Sequence, residues 1–304
     1  MPAVRIDLCP GCSSTLNSDS DGVADLNQRI KKRFSISIYF YRTMKSTTVS
    51  FIGAGNVAWH LAPALDNTEF AVREVYSRNE KHAAAIVDKL YEAEVNPTLD
   101  FSESTSKIFI IAVADDAIQD VVRDLKLPHD AILVHTSGSQ PLSALGYAPT
   151  TKVGVFYPLQ TFTKGKLIDF QHVPFFVESE DVDTEKILLA MGKAISKKVL
   201  KISSDDRKAL HVAAVFASNF TNHMFTIAEN IMEHHRLSFD LLKPLIAETL
   251  NKGLEIGPQK AQTGPARRGD LEILDRHMEF LNEDEEVSDI YKVVSQHIVN
   301  TYHQ

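Results

Sequence analysis

Val49-Ser-Phe-Ile-Gly53-Ala-Gly55-Asn-Val-Ala58 is the stretch that decides the fold. Thr47 to Ile52 is a β-rich run that meets two glycines, and Val57 to Leu65 then carries helical spacing. Strand, glycine turn and helix make the setting in which a GxGxxA spacing has physical meaning. Gly53 permits a tight turn out of the strand. Gly55 leaves no side chain between the backbone and a pyrophosphate, and Ala58 lets the helix pack closely on the strand. The helix start then points free amides at the phosphates. Gly53, Ala54, Gly55, Asn56 and Val57 are therefore candidate cofactor-binding residues. The plainer alternative is a glycine pair that serves helix packing alone.

The end of the next strand selects the cofactor. Val72 to Tyr76 is β-rich, and Ser77-Arg78-Asn79 follows it. An acid at this tip would hold a ribose 2′-hydroxyl. Here Arg78 suits a 2′-phosphate through charge-assisted bonds, with Ser77 able to donate another. The expected cofactor is NADP(H); the alternative is a solvated arginine. Ile108 to Val113 is a near-continuous apolar run, as a strand buried on both faces should be. Val113, Ala114 and Asp115 at its end are placed beside the cofactor, although Asp115 or Asp116 could instead cap the helix expected over Asp116 to Leu125.

Further strands are expected at Ala131 to His135, Lys152 to Phe156, Val173 to Val177 and Val199 to Ile202, with helices at Glu80 to Leu90 and Asp183 to Ser196. Alternation of this kind predicts a doubly wound, mostly parallel α/β Rossmann sheet. After Ile202 strand signals stop. Ser203-x-x-Asp206 opens a long helical pattern in capping-box style, and helices follow at Ser238 to Leu254, Leu271 to Leu281 and Val287 to Tyr302. The expected division is a leader over 1–43, a Rossmann domain over 44–202 and an all-helical domain over 203–304. Cys9 and Cys12 fall in the leader; a lone CxxC lacks a second pair to complete a metal site, so no metal is expected.

The chain has 304 residues and a net charge of −8, which argues against a broad nucleic-acid surface. No apolar run approaches the roughly 18 residues of a membrane span, and only two cysteines are present, so a reducing cytoplasm is the expected location.

Gly53 to Ala58, His135-Thr-Ser-Gly-Ser139, Phe156-Tyr-Pro-Leu-Gln-Thr-Phe162 and Thr263-Gly-Pro-Ala-Arg-Arg-Gly-Asp270 occur in this order, with Leu210 to Asn219 between the last two. In this set the chain resembles the superfamily of beta-hydroxyacid dehydrogenases, pyrroline-5-carboxylate reductases and deazaflavin-dependent NADP reductases. Within it, the chain is most similar to a family that joins a Rossmann-like domain to a helical domain of unknown function, DUF2520. The resemblance runs from Met44 almost to the end. It implies an NADP oxidoreductase that forms a homodimer through its helical domain.

The resemblance also assigns Ser137 and Gly138 to substrate, since a Ser-Gly turn at a strand end offers amides and hydroxyls to an anionic group. The plainer alternative is an ordinary strand-to-loop turn. On the helix after Ile202, His211, Val215, Ser218, Asn219 and Asn222 fall within roughly a quarter of the circumference at about 100° per residue, with Lys208 at its edge. Beta-hydroxyacid dehydrogenases use Lys-x-x-x-Asn on this helix, but Val215 stands where that lysine would be. His211, Asn219, Ser137 and Lys208 are thus the catalytic candidates, His211 as the proton donor. Tyr157, Asn222 and Arg268 are substrate-binding candidates; Tyr157 stands where relatives carry histidine. Structural explanations compete at each position, including core polar bonding for the helix stripe and an Arg268–Asp270 pair.

The expected function is hydride transfer between NADP(H) and a small polar carbonyl, imine or hydroxy compound. The alternatives are a non-catalytic NADP(H)-binding sensor or scaffold and, more weakly, a transferase or isomerase that keeps the cofactor structurally.

Overall fold

The computed structural model describes residues 47–303. The expected leader and its two cysteines lie outside those residues. Two compact units divide at Val212/Ala213, ten residues later than the sequence pattern placed the boundary.

The first unit is built on an eight-stranded sheet in the order β3-β2-β1-β4-β5-β6-β7-β8. Its strands are β1 (Thr47–Ile52), β2 (Phe70–Tyr76), β3 (Glu94–Asn96), β4 (Ile108–Ile111), β5 (Ile132–His135), β6 (Val153–Pro158), β7 (Phe175–Glu178) and β8 (Val199–Lys201). The central strands are apolar and buried on both faces. Along β4, Ile108 and Ile110 join one core layer while Phe109 and Ile111 join the other. On the first face lie α1 (Asn56–Asp66), α2 (Glu80–Val87) and α4 (Val182–Ile195); α3 (Ile118–Asp124) covers the second. Ser50 interrupts the apolar run of β1 but is satisfied, donating to Glu74 Oε2 at 2.8 Å. Chain order reverses between β1 and β4, and ligands bind outside the strand ends at such a switch point.

Two features depart from the expected parallel alternation. β3 is a three-residue edge strand, too short and polar to stand out in the sequence. β7 runs antiparallel to β6. Only a 3₁₀ turn at Phe170–His172 interrupts their connection, and without a crossover helix the chain returns in the opposite sense.

α5 (Ser204–Ala214) opens as the capping box predicts: the Asp206 N–H donates to Ser203 Oγ at 3.1 Å. A π-helical stretch, Val215–Phe220, separates it from α6 (Thr221–His234). The second unit continues through α7 (Lys243–Ile256), α8 (Pro258–Ala261), α9 (Pro265–Arg268), α10 (Leu271–Phe280) and α11 (Glu285–Tyr302). Among its described hydrophobic residues only Ala266 and Leu274 are buried. No helix among the described residues is long and apolar enough to cross a membrane.

Candidate functional site

A cleft of about 650 Å³ opens at the carboxyl ends of β1, β2 and β4. Gly53, with φ at +110°, makes the turn out of β1; a Cβ there would stand 2.4 Å from the Ala112 carbonyl oxygen, so only glycine fits. Gly55 differs. A Cβ there would make only ordinary contact with protein, yet the position faces the cleft. It also begins α1, whose first turn has no side-chain cap and no acidic residue. Amides left without side-chain partners at a helix start form a ready anion site. The local sequence thus fits a dinucleotide diphosphate.

Nine of the ten cofactor candidates line this cleft: Gly53, Ala54, Gly55, Asn56, Val57, Ser77, Arg78, Val113 and Ala114. Arg78 is exposed and makes no ion pair among the described residues, so its guanidinium is available to an anion. Asp115 does not line the cleft. It begins a 3₁₀ turn without capping it, and its Oδ2 accepts from Ser139 Oγ at 2.5 Å. The helix-capping alternative for Asp115 therefore gives way to a tie between two strand-end loops. Lys164 also lines the cleft, although it lies far from the glycine turn in sequence.

A second cluster sits at the ends of β5 and β6. Ser137 is buried, and its Oγ accepts from the N–H groups of Ser139 at 3.1 Å and Gln140 at 3.0 Å. The Ser137 hydroxyl, expected to face substrate, thus also holds two amides of its own turn. Gly138 is held to glycine by its neighbours: a Cβ would lie 2.5 Å from His211 Nδ1 and 2.7 Å from Tyr157 Cζ. Tyr157 and His211 meet over this glycine, with the phenol oxygen 3.2 Å from Nδ1. Burial pushes the Tyr157 pKa up, so the phenol stays protonated at neutral pH. Behind the turn, His135 is fully buried and its Nδ1 accepts from the Ser137 N–H at 3.2 Å. Desolvation, reinforced by the Arg207 charge, brings its pKa down to about 4, so this imidazole is neutral.

Arg207 is the organising residue that the sequence pattern does not reveal. It is completely buried. Its Nη1 donates to the carbonyls of Ser137 at 2.9 Å and Gln140 at 2.7 Å, and its Nη2 to Glu178 Oε2 at 2.9 Å. Following Ser-Ser-Asp-Asp, it reads as one more solvated charge at a helix start. A faint signal exists, because Glu178 closes an otherwise apolar strand and calls for a cation.

The other predicted residues are spread out. Lys208 is exposed on α5. Ser218, Asn219 and Asn222 belong to the second unit and are exposed in the single chain, so no buried amide there demands a partner. Their grouping with His211 assumed a constant helical step, which the π segment interrupts. Arg268, in α9, is exposed and stands 3.9 Å from Asp270, within reach of only a loose structural pair.

Comparisons with known proteins part the chain earlier than the two compact units do, within the sheet unit. Residues 48–138 match the family described as NADP oxidoreductase, coenzyme F420-dependent, and residues 173–298 match DUF2520, a domain of unknown function. Among solved structures, a Bacteroides fragilis protein provisionally described as an NADP oxidoreductase is 37% identical, with 84% of this chain and 99% of that one covered and a TM-score of 0.75. A Thermotoga maritima protein is 20% identical, covering 84% and 100%, with a TM-score of 0.69. A reductive aminase from Aspergillus terreus, solved with NADPH and ethyl-5-oxohexanoate, is 15% identical, covering 84% and 94%, with a TM-score of 0.63. The last two likenesses carry the fold alone. No curated protein matches the sequence.

Proposed function

The chain belongs to the family of NADP oxidoreductases that join a coenzyme-binding Rossmann domain to DUF2520, and from that premise we propose that it transfers hydride between NADP(H) and a small polar carbonyl, imine or hydroxy compound. The observation that carries this reading is the cleft in which Gly55, the uncapped start of α1 and Arg78 line one wall system. The α1 amides would hold the diphosphate, and Arg78 with Ser77 the 2′-phosphate. Bound NADPH supplies the hydride, and the chain supplies position and a proton.

In the reductive direction Tyr157 donates its phenolic proton to the substrate oxygen or nitrogen, and His211, bonded to that phenol, restores it. Ser137 and Gly138 shape the substrate side of the site through the turn they form, with the Gly138 position bringing the dyad close. Lys208 is exposed on α5 of the same unit, and Asn219, Asn222 and Arg268 are exposed on the helical unit.

Isothermal titration with NADPH and NADH tests the cofactor assignment. Arg78→Gln is expected to weaken NADPH about tenfold or more while leaving NADH nearly unchanged, the effect of one lost charge-assisted contact. Equal loss for both nucleotides would overturn the role given to Arg78. NADPH binding with no turnover on a carbonyl and imine panel would favour the sensor reading, whose support is Val215 in place of the expected lysine.

The helical unit is proposed to pair with a second copy. Large apolar side chains such as Phe216, Leu245, Leu254 and Val293 are more than 60% exposed, and exposure of so many large apolar groups supports an interface. Sedimentation equilibrium at micromolar concentration is expected to give twice the chain mass; a purely monomeric distribution would sink the pairing.

A further inference from the structure

We propose that Lys164 is the cation that neutralises the diphosphate of the bound dinucleotide, an assignment that rests on the NADP(H) reading above. The glycine turn and first turn of α1, Gly53 to Ala58, contain no positive side chain. Helix amides and the helix dipole amount to only about half a charge, while each phosphate of the ligand carries a negative one. Arg78, at the tip of β2, is committed to the ribose end. Lys164 reaches the middle of the turn: its Nζ donates to the Ala54 carbonyl at 3.3 Å, and it lines the cleft beside Gly55.

The placement is built by the loop between β6 and β7. Leu159 N–H donates to the Pro174 carbonyl at 2.9 Å, tying down its start. Phe162 packs against the core layer beneath α1 and against the ring of Phe170. The Thr163 carbonyl lies 3.0 Å from His60 Nε2, fastening the loop to α1 one residue before the lysine. Lys164 is therefore delivered to the phosphate turn by a fixed segment from the opposite half of the sheet.

Lys164 is exposed, and the protein itself offers its ammonium little beyond solvent. Lys164 has no carboxylate partner among the described residues. Its contact with the Trp59 ring is distant, 5.1 Å to the centroid, and Lys89 occupies that ring at 3.3 Å. A single long carbonyl bond is a weak return for an ammonium. A diphosphate at the α1 start would give Lys164 the charged partner it lacks.

The test is titration of the full chain and of Lys164→Gln with NADPH, NADH and adenosine 2′-monophosphate, which has the ribose phosphate but no diphosphate. Lys164→Gln is expected to weaken both dinucleotides by about tenfold and to leave the monophosphate unchanged. Arg78→Gln is expected to give the opposite pattern, weakening NADPH and the monophosphate but not NADH. Lys164→Arg keeps the charge and is expected to recover most of the affinity. Lys166→Gln, an exposed neighbour outside the cleft, should behave as the parent. Unchanged dinucleotide binding in Lys164→Gln, or an equal loss for the monophosphate, would overturn the assignment. A parent protein that binds neither dinucleotide would instead sink the cofactor reading itself, and this assignment with it.

Discussion

Arg207→Met is expected to destabilise the sheet unit by about 3–5 kcal/mol, the range measured when one member of a buried ion pair is removed. The side chain is completely buried, and the Glu178 side chain opposite it is only 16% exposed. Methionine fills comparable volume but returns no hydrogen bond to the carbonyls of Ser137 and Gln140, and it strands the Glu178 carboxylate. Ser204 Oγ still donates to Glu178 Oε1 at 2.7 Å, which softens the loss without replacing the charge. Urea denaturation followed by circular dichroism measures the effect. Removing both partners, Arg207→Met with Glu178→Leu, should recover a large part of it, because no unpaired charge then remains. A single variant within about 1 kcal/mol of the parent would show that the guanidinium is not holding the turn.

The other large effect belongs to Tyr157 and His211. Tyr157→Phe and His211→Ala are each expected to lower turnover about 100-fold or more on any substrate the enzyme reduces, as befits loss of a positioned proton donor. NADPH affinity should stay near the parent value, since neither residue lines the cofactor cleft. The double variant should fall little below the worse single one, because the two groups act as one hydrogen-bonded unit. Stopped-flow single-turnover oxidation of NADPH separates this from slow product release. Losses that multiply in the double variant, or a loss expressed only as higher KM, would remove the pair from proton transfer.

The parts of this fold that could be read in the sequence are those whose causes are local. The β1–α1–β2 segment declares itself through glycines, strand periodicity and the Arg78 tip, and the cleft is lined by those residues. The capping box at Ser203 is local too, and it forms. What escaped depends on distant partners. Arg207 draws its importance from carbonyls some seventy positions away, which no spacing rule encodes. Asp115 finds Ser139 across a strand end instead of the nearer helix amides. Ser137 reads as a group offered to substrate, yet its hydroxyl also accepts from two neighbouring amides. The stripe from His211 to Asn222 assumed uniform winding, and a π segment cannot be seen in a periodicity. The antiparallel β7 follows from a helix that is absent, a weaker signal than one that is present.

The helices beyond Val212 bury only two apolar side chains by themselves. A second copy seated on them, as proposed above, would add to the apolar surface they desolvate. That copy would enter the folding equilibrium as a reactant. With that pairing, folding of that half is expected to be of more than first order, with a melting temperature that tracks the logarithm of protein concentration.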